Sequence, residues 1–569
     1  MYLTNLIVNR PKGTKILRKN NISYVYHILQ KDYVKSKRTY NEKKVCIGKM
    51  VIDSDTKMIP NDNFIKYYNN YDFDSSYLPN APKFSRTLSC GAFILIRKIA
   101  IDSGITKILN DIYGKKDSIN LLNIISFFIT CESTTFQHYK NFMRKHLQLG
   151  NKILTDVEIC SRILCKVITE DNVQESLMEW NKLFHDTVKV YMHCDSTNYN
   201  TEASDISIAN YGYAKDDKNL PQYNMSLCLK SDDFTPLYYD LFEGSIIDLV
   251  ECEGFIRKIA DLGYKNIGLI FDRGYYFEAN IRQLDSMEYD FIMMMREDHN
   301  VVKKLIDENR NAFIYKTRTY LPEFRLYGTT TKKELYGKIR YFHIYYNNIK
   351  ATNNEDTLMH SVSTLEKELE ELQKKRLKSN TNLYKYRRFF DIKLDSDSSK
   401  IESFVMKHDY IESILSYMGF FILMSSEEMT AEDAIVTYRS RDNIEKFFSS
   451  VKSGMDFDRP AVHNDIRLAS KVFLVFLAGI IRQKILNASI RLKATYNNKK
   501  FYTIPSIINI LENIECTNDS KNIYKREFAL SNAQKTILKE FDIDEKYIDI
   551  CIDNFNNFDR LSDNKEIFK

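Results

Sequence analysis

Residues 430–458 read TAEDAIVTYRSRDNIEKFFSSVKSGMDFD. Thr430, with Asp433 three residues on, has the spacing of a capped helix start. No Pro or Gly interrupts the run until Gly454, which stands where a helix stop is expected. The stretch therefore predicts one helix of about six turns. At about 100° per residue, Tyr438, Arg441, Glu445 and Lys452 fall within an arc of roughly 60°. Ile444, Phe447, Phe448 and Val451 lie on the adjoining arc. The helix thus has an apolar face to bury and, beside it, a stripe carrying a phenol, a guanidinium, a carboxylate and an ammonium. Taken alone, that stripe is a solvated face with an i,i+4 ion pair between Arg441 and Glu445.

Two aspartates upstream change the weight of that reading. VKVYMHCDSTNYN, from Val188, is a short apolar strand expected to stop at Asp195. YKNIGLIFDRGYY is a second buried strand that stops at Asp272 and turns at Gly274. Either acid alone is ordinary turn chemistry. Between them lie strands with turns at Lys215 to Asn219 and Lys230 to Asp233, then a helix from Ile247 to Leu262. After Asp272 come the helix FEANIRQLDS and the strand DFIMMMR. Strand, hairpin, helix, strand, helix, strand is the order of a mixed sheet flanked by helices. Adjacent parallel strands would set Asp195 and Asp272 side by side, and Glu445 would come from a helix packed over the sheet. Three converging carboxylates repel one another unless cations bind. Hard divalent ions suit such oxygen ligands.

The words around the three acids carry a resemblance. Y-x2-R-x3-E-x6-K at Tyr438, Arg441, Glu445 and Lys452 is similar to the signature of a group of bacterial insertion-sequence DDE transposases. FDRG at Asp272 looks like that family's D-R-G. EKFFSSVKSGMDFDRPAVHN looks like its E-x-x-F-x-x-L-K-S stretch with the RP-V-x-H continuation, Val451 standing for the usual Leu. The resemblance implies an α/β RNase H-like catalytic core with an inserted, largely β subdomain. It implies two Mg²⁺ ions, with Mn²⁺ able to substitute, held by Asp195, Asp272 and Glu445 as catalytic residues. Arg441 and Lys452 would meet phosphates of the DNA, and Tyr438 a flipped base or a phosphate. The partners implied are double-stranded DNA, as terminal inverted repeats and as target, and a second copy of the chain. Two rivals stay open: another two-metal nuclease on the same fold, and a catalytically inactive, domesticated DNA-binding descendant.

The remaining chain sorts around this core. Residues 1–85 read as a β-hairpin region with a basic connecting segment, KDYVKSKRTYNE, followed by a polar linker at 55–85. Residues 86–187 have helical periodicity, and the resemblance makes them a possible DNA-binding domain. Residues 188–295 are the first part of the core, 296–424 the β-rich insertion with one long helix, and 425–465 the signature helix. Residues 466–569 are a helical C-terminal region. In the insertion, Leu358, Val362, Leu365, Leu369 and Leu372 form one apolar seam expected to pack back on the insertion.

At 569 residues the chain is long enough for several domains, and 44% hydrophobic content excludes general disorder. The net charge of +6 permits a nucleic-acid partner without requiring one. Ten single cysteines with no C-x-x-C pair point to reduced thiols in a cytoplasmic protein; the resemblance implies a bacterial one, at the nucleoid when bound to DNA. The N-terminus lacks a signal-peptide core, and the apolar run Val472 to Ile481 is about half a bilayer span, so no membrane partner is expected. His193 and Cys194 beside the first acid lack the second pair a zinc site needs. No G-x-x-x-x-G-K-[ST] loop is present, so no nucleotide cofactor is expected.

Overall fold

The structure, a computed structural model, describes residues 6–19, 22–34, 39–52, 54–68, 86–149, 153–185, 189–212, 217, 219–246, 248–264, 266–297, 299–377, 382–397, 400–496, 502–518 and 523–557. Two compact units divide the chain: Met1–Thr87 with Cys516–Lys525, and Leu88–Glu515 with Arg526–Lys569.

The first unit holds a five-stranded antiparallel sheet of β1 (Val8–Asn9), β2 (Lys15–Lys19), β3 (Ile22–Val34), β4 (Thr39–Met50) and β5 (Lys57–Pro60), in the order β1-β5-β4-β3-β2. β3 and β4 are the hairpin expected from their β-branched and aromatic content. Val25, Ile47, Met58 and Phe64 close one face under the helix Asp62–Tyr67. β5 and this helix occupy the start of the stretch read as a linker, and 69–85 lie outside the described residues.

A short strand, β6 (Thr87–Ser89), precedes the helices Gly91–Asp102, Ile105–Cys131 and Glu170–Lys182 of the second unit. They gather around one long helix, Asp465–Thr495. By length and composition that helix could cross a membrane, but 78% of its most apolar window is buried inside the protein.

The site is positioned by a nine-stranded sheet. Its strands are β7 (Val190–Asn200), β8 (Gln222–Lys230), β9 (Pro236–Glu243), β10 (Ile267–Phe271), β11 (Asp290–Met294), β12 (Tyr320–Leu321), β13 (Leu326–Leu335), β14 (Lys338–Tyr346) and β17 (Phe420–Ser425). They lie in the order β12-β13-β14-β17-β11-β10-β7-β8-β9. β7, β10 and β11 are parallel neighbours; every other pairing is antiparallel. All five residues of β10 are buried, as a strand covered on both faces requires.

The stretch 296–424 departs from a separate β subdomain. Its strands β12, β13 and β14, with β17, extend the core sheet itself, because β17 pairs antiparallel with both β11 and β14. What stands apart is the helix Asn348–Gln373 with the hairpin β15 (Phe390–Leu394) and β16 (Ile401–Met406). The leucine seam does pack there: Val362 and Leu369 are fully buried among Tyr386, Phe390, Ile401 and Ile411.

Candidate active site

The two aspartates reach the site through strand register. β10 runs parallel to β7 with Ile267 opposite Val190 and Ile270 opposite His193, so two residues further on Asp272 falls level with Asp195. β7 does not stop at Asp195. It continues to Asn200, because Asp195 to Asn200 stay paired with β8 from Leu227 to Gln222. What ends there is the pairing with β10, which leaves the sheet at Asp272. The gap between the two strands opens a cavity of about 340 Å³ lined by Asp195, Ser196, Thr197, Asp272, Gly274, Tyr275, Arg441, Glu445 and Phe448. Each carboxylate is held at the backbone: Asp195 Oδ1 accepts from Ser196 N–H at 2.9 Å, and Asp272 Oδ1 from Arg273 N–H at 2.7 Å.

The signature stretch is two helices, Ala431–Arg439 and Asp442–Lys452, not one. Thr430 caps the first as its spacing predicts, accepting from Asp433 N–H at 3.0 Å. The break falls at Ser440 and Arg441. Tyr438 and Glu445 therefore stand on different helices, although Ser440 and Arg441 between them keep right-handed helical dihedrals. The apolar arc is as expected: Ile444, Phe447, Phe448 and Val451 are all buried. The second helix ends at Lys452, with Ser453 as its cap. Gly454 is not left-handed. It is needed for close approach, since a Cβ there would lie 2.4 Å from Ser450 O and 2.6 Å from Arg482 Nη2.

Tyr438 is buried, and its hydroxyl donates to Asp272 Oδ1 at 3.1 Å. Arg441 reaches all three acids: Asp272 Oδ1 at 3.0 Å, Glu445 Oε1 at 3.0 Å and Asp195 Oδ2 at 3.8 Å. Lys452 turns to the far end of β7, donating to Asn198 O at 2.7 Å with its ammonium 4.9 Å over the Tyr199 ring. It lies outside the cavity lining. So the structure brings Asp195, Asp272, Glu445, Tyr438 and Arg441 together and sets Lys452 beside them on the same strand.

A family model described as a transposase DDE domain matches residues 193–480, half of the chain, from the strand of the first acid to beyond the signature helices. The chain belongs to the transposase DDE domain family. Among solved structures, a piggyBac transposase synaptic complex with hairpin DNA, determined by cryo-electron microscopy, is similar with a TM-score of 0.31 and 8% identity. That similarity covers 82% of this chain and 74% of the other. No curated protein matches the sequence.

DDE transposases use divalent metals, and the donor chemistry of this transposase site suits them: carboxylate oxygens from two strands and a helix face one cavity. The arrangement carries a cation of its own at that point. Among the described residues no group of three His, Cys, Asp or Glu side chains is set to hold a metal ion, and Arg441 contacts all three acids. Burial alone would lower the guanidinium's pKa, but Asp272 and Asp195 outweigh it and raise it. Arg441 Nε is buried without a hydrogen-bond partner among the described residues, so one donor of the fork is unmade.

One residue that the motif does not include supports this arrangement. His193 is fully buried, and its Nε2 lies 2.8 Å from Ser440 Oγ at the helix break. Ser440 Oγ donates to Thr437 O at 2.6 Å, so it accepts from the imidazole, which must carry its proton on Nε2. Nδ1 has no partner among the described residues. Burial, with Arg441 adding to it, lowers the ring's pKa to about 3, so it stays neutral. In sequence this histidine is only a neighbour of the first acid. Its tie to residue 440 spans nearly the whole core, and no local spacing shows it.

Proposed function

We propose that the chain is a DNA transposase that cleaves and joins phosphodiester bonds at the ends of an insertion sequence. Asp195, Asp272 and Glu445 are the catalytic residues and the ligands of two Mg²⁺ ions, for which Mn²⁺ substitutes. The observation that carries this reading is the register of β7 and β10, which sets two carboxylates level at the mouth of one cavity with Glu445 across it. The sheet order β9-β8-β7-β10-β11, three antiparallel strands followed by two parallel to the first, supports an RNase H-like core.

Divalent ions bound at such acids supply activation of an attacking oxygen and stabilisation of a leaving one in an in-line displacement at phosphorus. The residues do the positioning. Asp195 and Asp272 come from a rigid sheet, and Tyr438 fixes the Asp272 carboxyl by donating to it. Glu445 is the most exposed of the three, its side chain 64% accessible, and comes in from the helix side. Arg441, a planar five-donor fork, turns from the carboxylates to a phosphate of the DNA. Lys452, held on Asn198 O, meets a neighbouring phosphate. The partners are the terminal inverted repeats and the target duplex, and two ends are held by a dimer. The protein works in the bacterial cytoplasm, at the nucleoid.

The test is Mg²⁺- or Mn²⁺-dependent nicking of a duplex carrying the element's flanking terminal repeats, wild type beside Glu445→Ala. Cleavage at the element end that vanishes in the variant supports the reading. Specific binding without cleavage in either metal overturns it for a domesticated binder, and cutting without preference for the ends overturns it for a general nuclease.

A further inference from the structure

The charge of the chain is concentrated at one end. Residues 1–68 hold fourteen Lys and Arg against five Asp and Glu, a formal +9, while the whole chain carries +6, which leaves −3 for residues 69–569. A near-neutral total therefore hides one strongly cationic N-terminal segment. The helical segment 86–187 carries no such asymmetry: thirteen Lys and Arg stand against eleven Asp and Glu, a formal +2.

The sheet presents its charge on a defined face. Val25, opposite Ile16 and Gly48, points into the core. Its neighbours Tyr24 and Tyr26 point the other way, opposite Lys49 and Lys15. On that second face the Lys44 ammonium stands 5.6 Å over the Tyr26 ring. Further out the hairpin outruns its neighbours. β2 pairs with β3 only as far as Tyr26, and β5 pairs with β4 only from Gly48 on, so the rest of the hairpin is a two-stranded ribbon. Near its end Tyr33 and Tyr40 are a cross-strand pair with ring centroids 5.1 Å apart, exposed by 53% and 57%. The Lys31 ammonium stands 4.7 Å over Tyr40. Glu42 is the acid on this face, paired with Lys15 at 2.6 Å and with Lys31 at 3.8 Å.

A two-stranded ribbon is marginal in water by itself. This one is twisted antiparallel, studded with lysines, and exposes large aromatics. A two-stranded β-ribbon is one of the two elements that the major groove of duplex DNA admits. Lysines on its edges can neutralise phosphates, and paired tyrosines give rigid, amphipathic contact with sugars and base edges. We infer that the β3–β4 ribbon of the N-terminal sheet is a duplex-DNA-docking surface. That the duplex is the element's own rests on the transposase reading above; the docking itself is carried by charge and shape.

The experiment uses the full chain and measures duplex binding by fluorescence anisotropy across a salt series, with a mixed-sequence duplex beside one carrying the terminal repeats. Three variants are compared with wild type at matched melting temperature: the triple Lys31→Glu, Lys44→Glu, Lys49→Glu, all on the tyrosine face; the double Tyr33→Ala, Tyr40→Ala; and Glu42→Gln. The triple variant is expected to bind both duplexes at least tenfold more weakly. Its slope of log K against log salt should be shallower by about 2.7, the counterion release of three lost phosphate contacts. The tyrosine variant should weaken binding with the slope unchanged, and Glu42→Gln should tighten it. If the triple variant binds with unaltered affinity and slope, the ribbon is not the docking surface, and the transposase reading stands untouched. If wild type binds no duplex, both fall. If the triple change abolishes binding to phosphatidylserine vesicles and leaves duplex binding intact, the face is a membrane surface and the inference is overturned.

Discussion

Arg441 holds its Nη1 3.0 Å from Asp272 Oδ1, and the same guanidinium spans Glu445 and Asp195. Three acids that would repel one another are thereby joined by one internal cation. The arginine of the signature is then the resident counter-ion of the three acids. Arg441→Ala should cost about 2 kcal/mol of stability in EDTA, the scale of losing charge-assisted hydrogen bonds. It should also raise the response to metal: Mn²⁺ should lift the melting temperature of Arg441→Ala more than that of wild type. Calorimetric melts with EDTA and with Mn²⁺ read both effects. An equal Mn²⁺ shift in the two proteins would show that guanidinium and metal do not compete.

Ser440 ties the break between the signature helices to the strand of the first acid through His193. Ser440→Ala leaves a fully buried imidazole with neither nitrogen paired among the described residues, a loss of about 1–3 kcal/mol. Ser440→Thr keeps the hydroxyl and should recover most of it. Urea unfolding measures the stability of both, and element-end cleavage should follow the same order, because Arg441 is the next residue along. Full activity in the alanine variant would free the Arg441 position from this bond.

Much of the site was legible because it is written in local patterns. Apolar runs that end in an acid marked β10 and the first half of β7, which runs on to Asn200, and their parallel pairing set Asp195 and Asp272 level. The apolar arc of Ile444, Phe447, Phe448 and Val451 gave the buried side of the signature helix. The break at Ser440 was not legible, since neither Gly nor Pro marks it; a tertiary bond from His193 does. Nor was the role of Arg441, whose i,i+4 spacing to Glu445 hides its longer reach to two strands. The insertion misled for a related reason. β13 and β14 read as strands from composition, but which sheet they join is decided by β17, about 75 residues after β14. The N-terminal ribbon was visible only as a basic segment between strands, until register showed which residues share its face.

His343 on β14 gives the fold a pH dependence of known sign. The side chain is fully buried, with Nε2 2.9 Å from Ser425 Oγ and Nδ1 2.9 Å from Thr330 Oγ1. Ser425 Oγ donates to Glu427 O, so it accepts from Nε2–H, and Nδ1 accepts from Thr330. A second proton on the ring would break that second bond. Burial lowers the pKa from 6.5 to about 4. Between those values the unfolded chain binds more protons than the folded one, so stability rises with pH there. This contribution is complete above pH 6.5 and is lost as pH falls toward 4, at about 1.4 kcal/mol per pH unit. His343→Gln removes the titration. Urea midpoints should therefore fall further between pH 7 and pH 4.5 for wild type than for the variant; parallel curves would refute the assignment.

Gly479 decides how closely the signature helix approaches the long helix beneath it. A Cβ at that position would stand 2.6 Å from the Phe447 ring, which is 3% exposed. Two effects oppose each other in Gly479→Ala. Alanine favours the helix by about 1 kcal/mol over glycine. Overpacking a tight core costs about 1–3 kcal/mol. The clash is with a buried ring three residues from Ser450 and two from Glu445, so the second effect should win and the net change should be a destabilisation. The displacement should also be felt at the acids, because Phe447 and Glu445 ride on one short helix. Phe447→Leu in the same chain gives the alanine methyl room, and the double variant Gly479→Ala, Phe447→Leu should be more stable than the sum of the single changes predicts. Denaturant unfolding of the four proteins closes that cycle. Additive effects would mean that the two side chains do not meet.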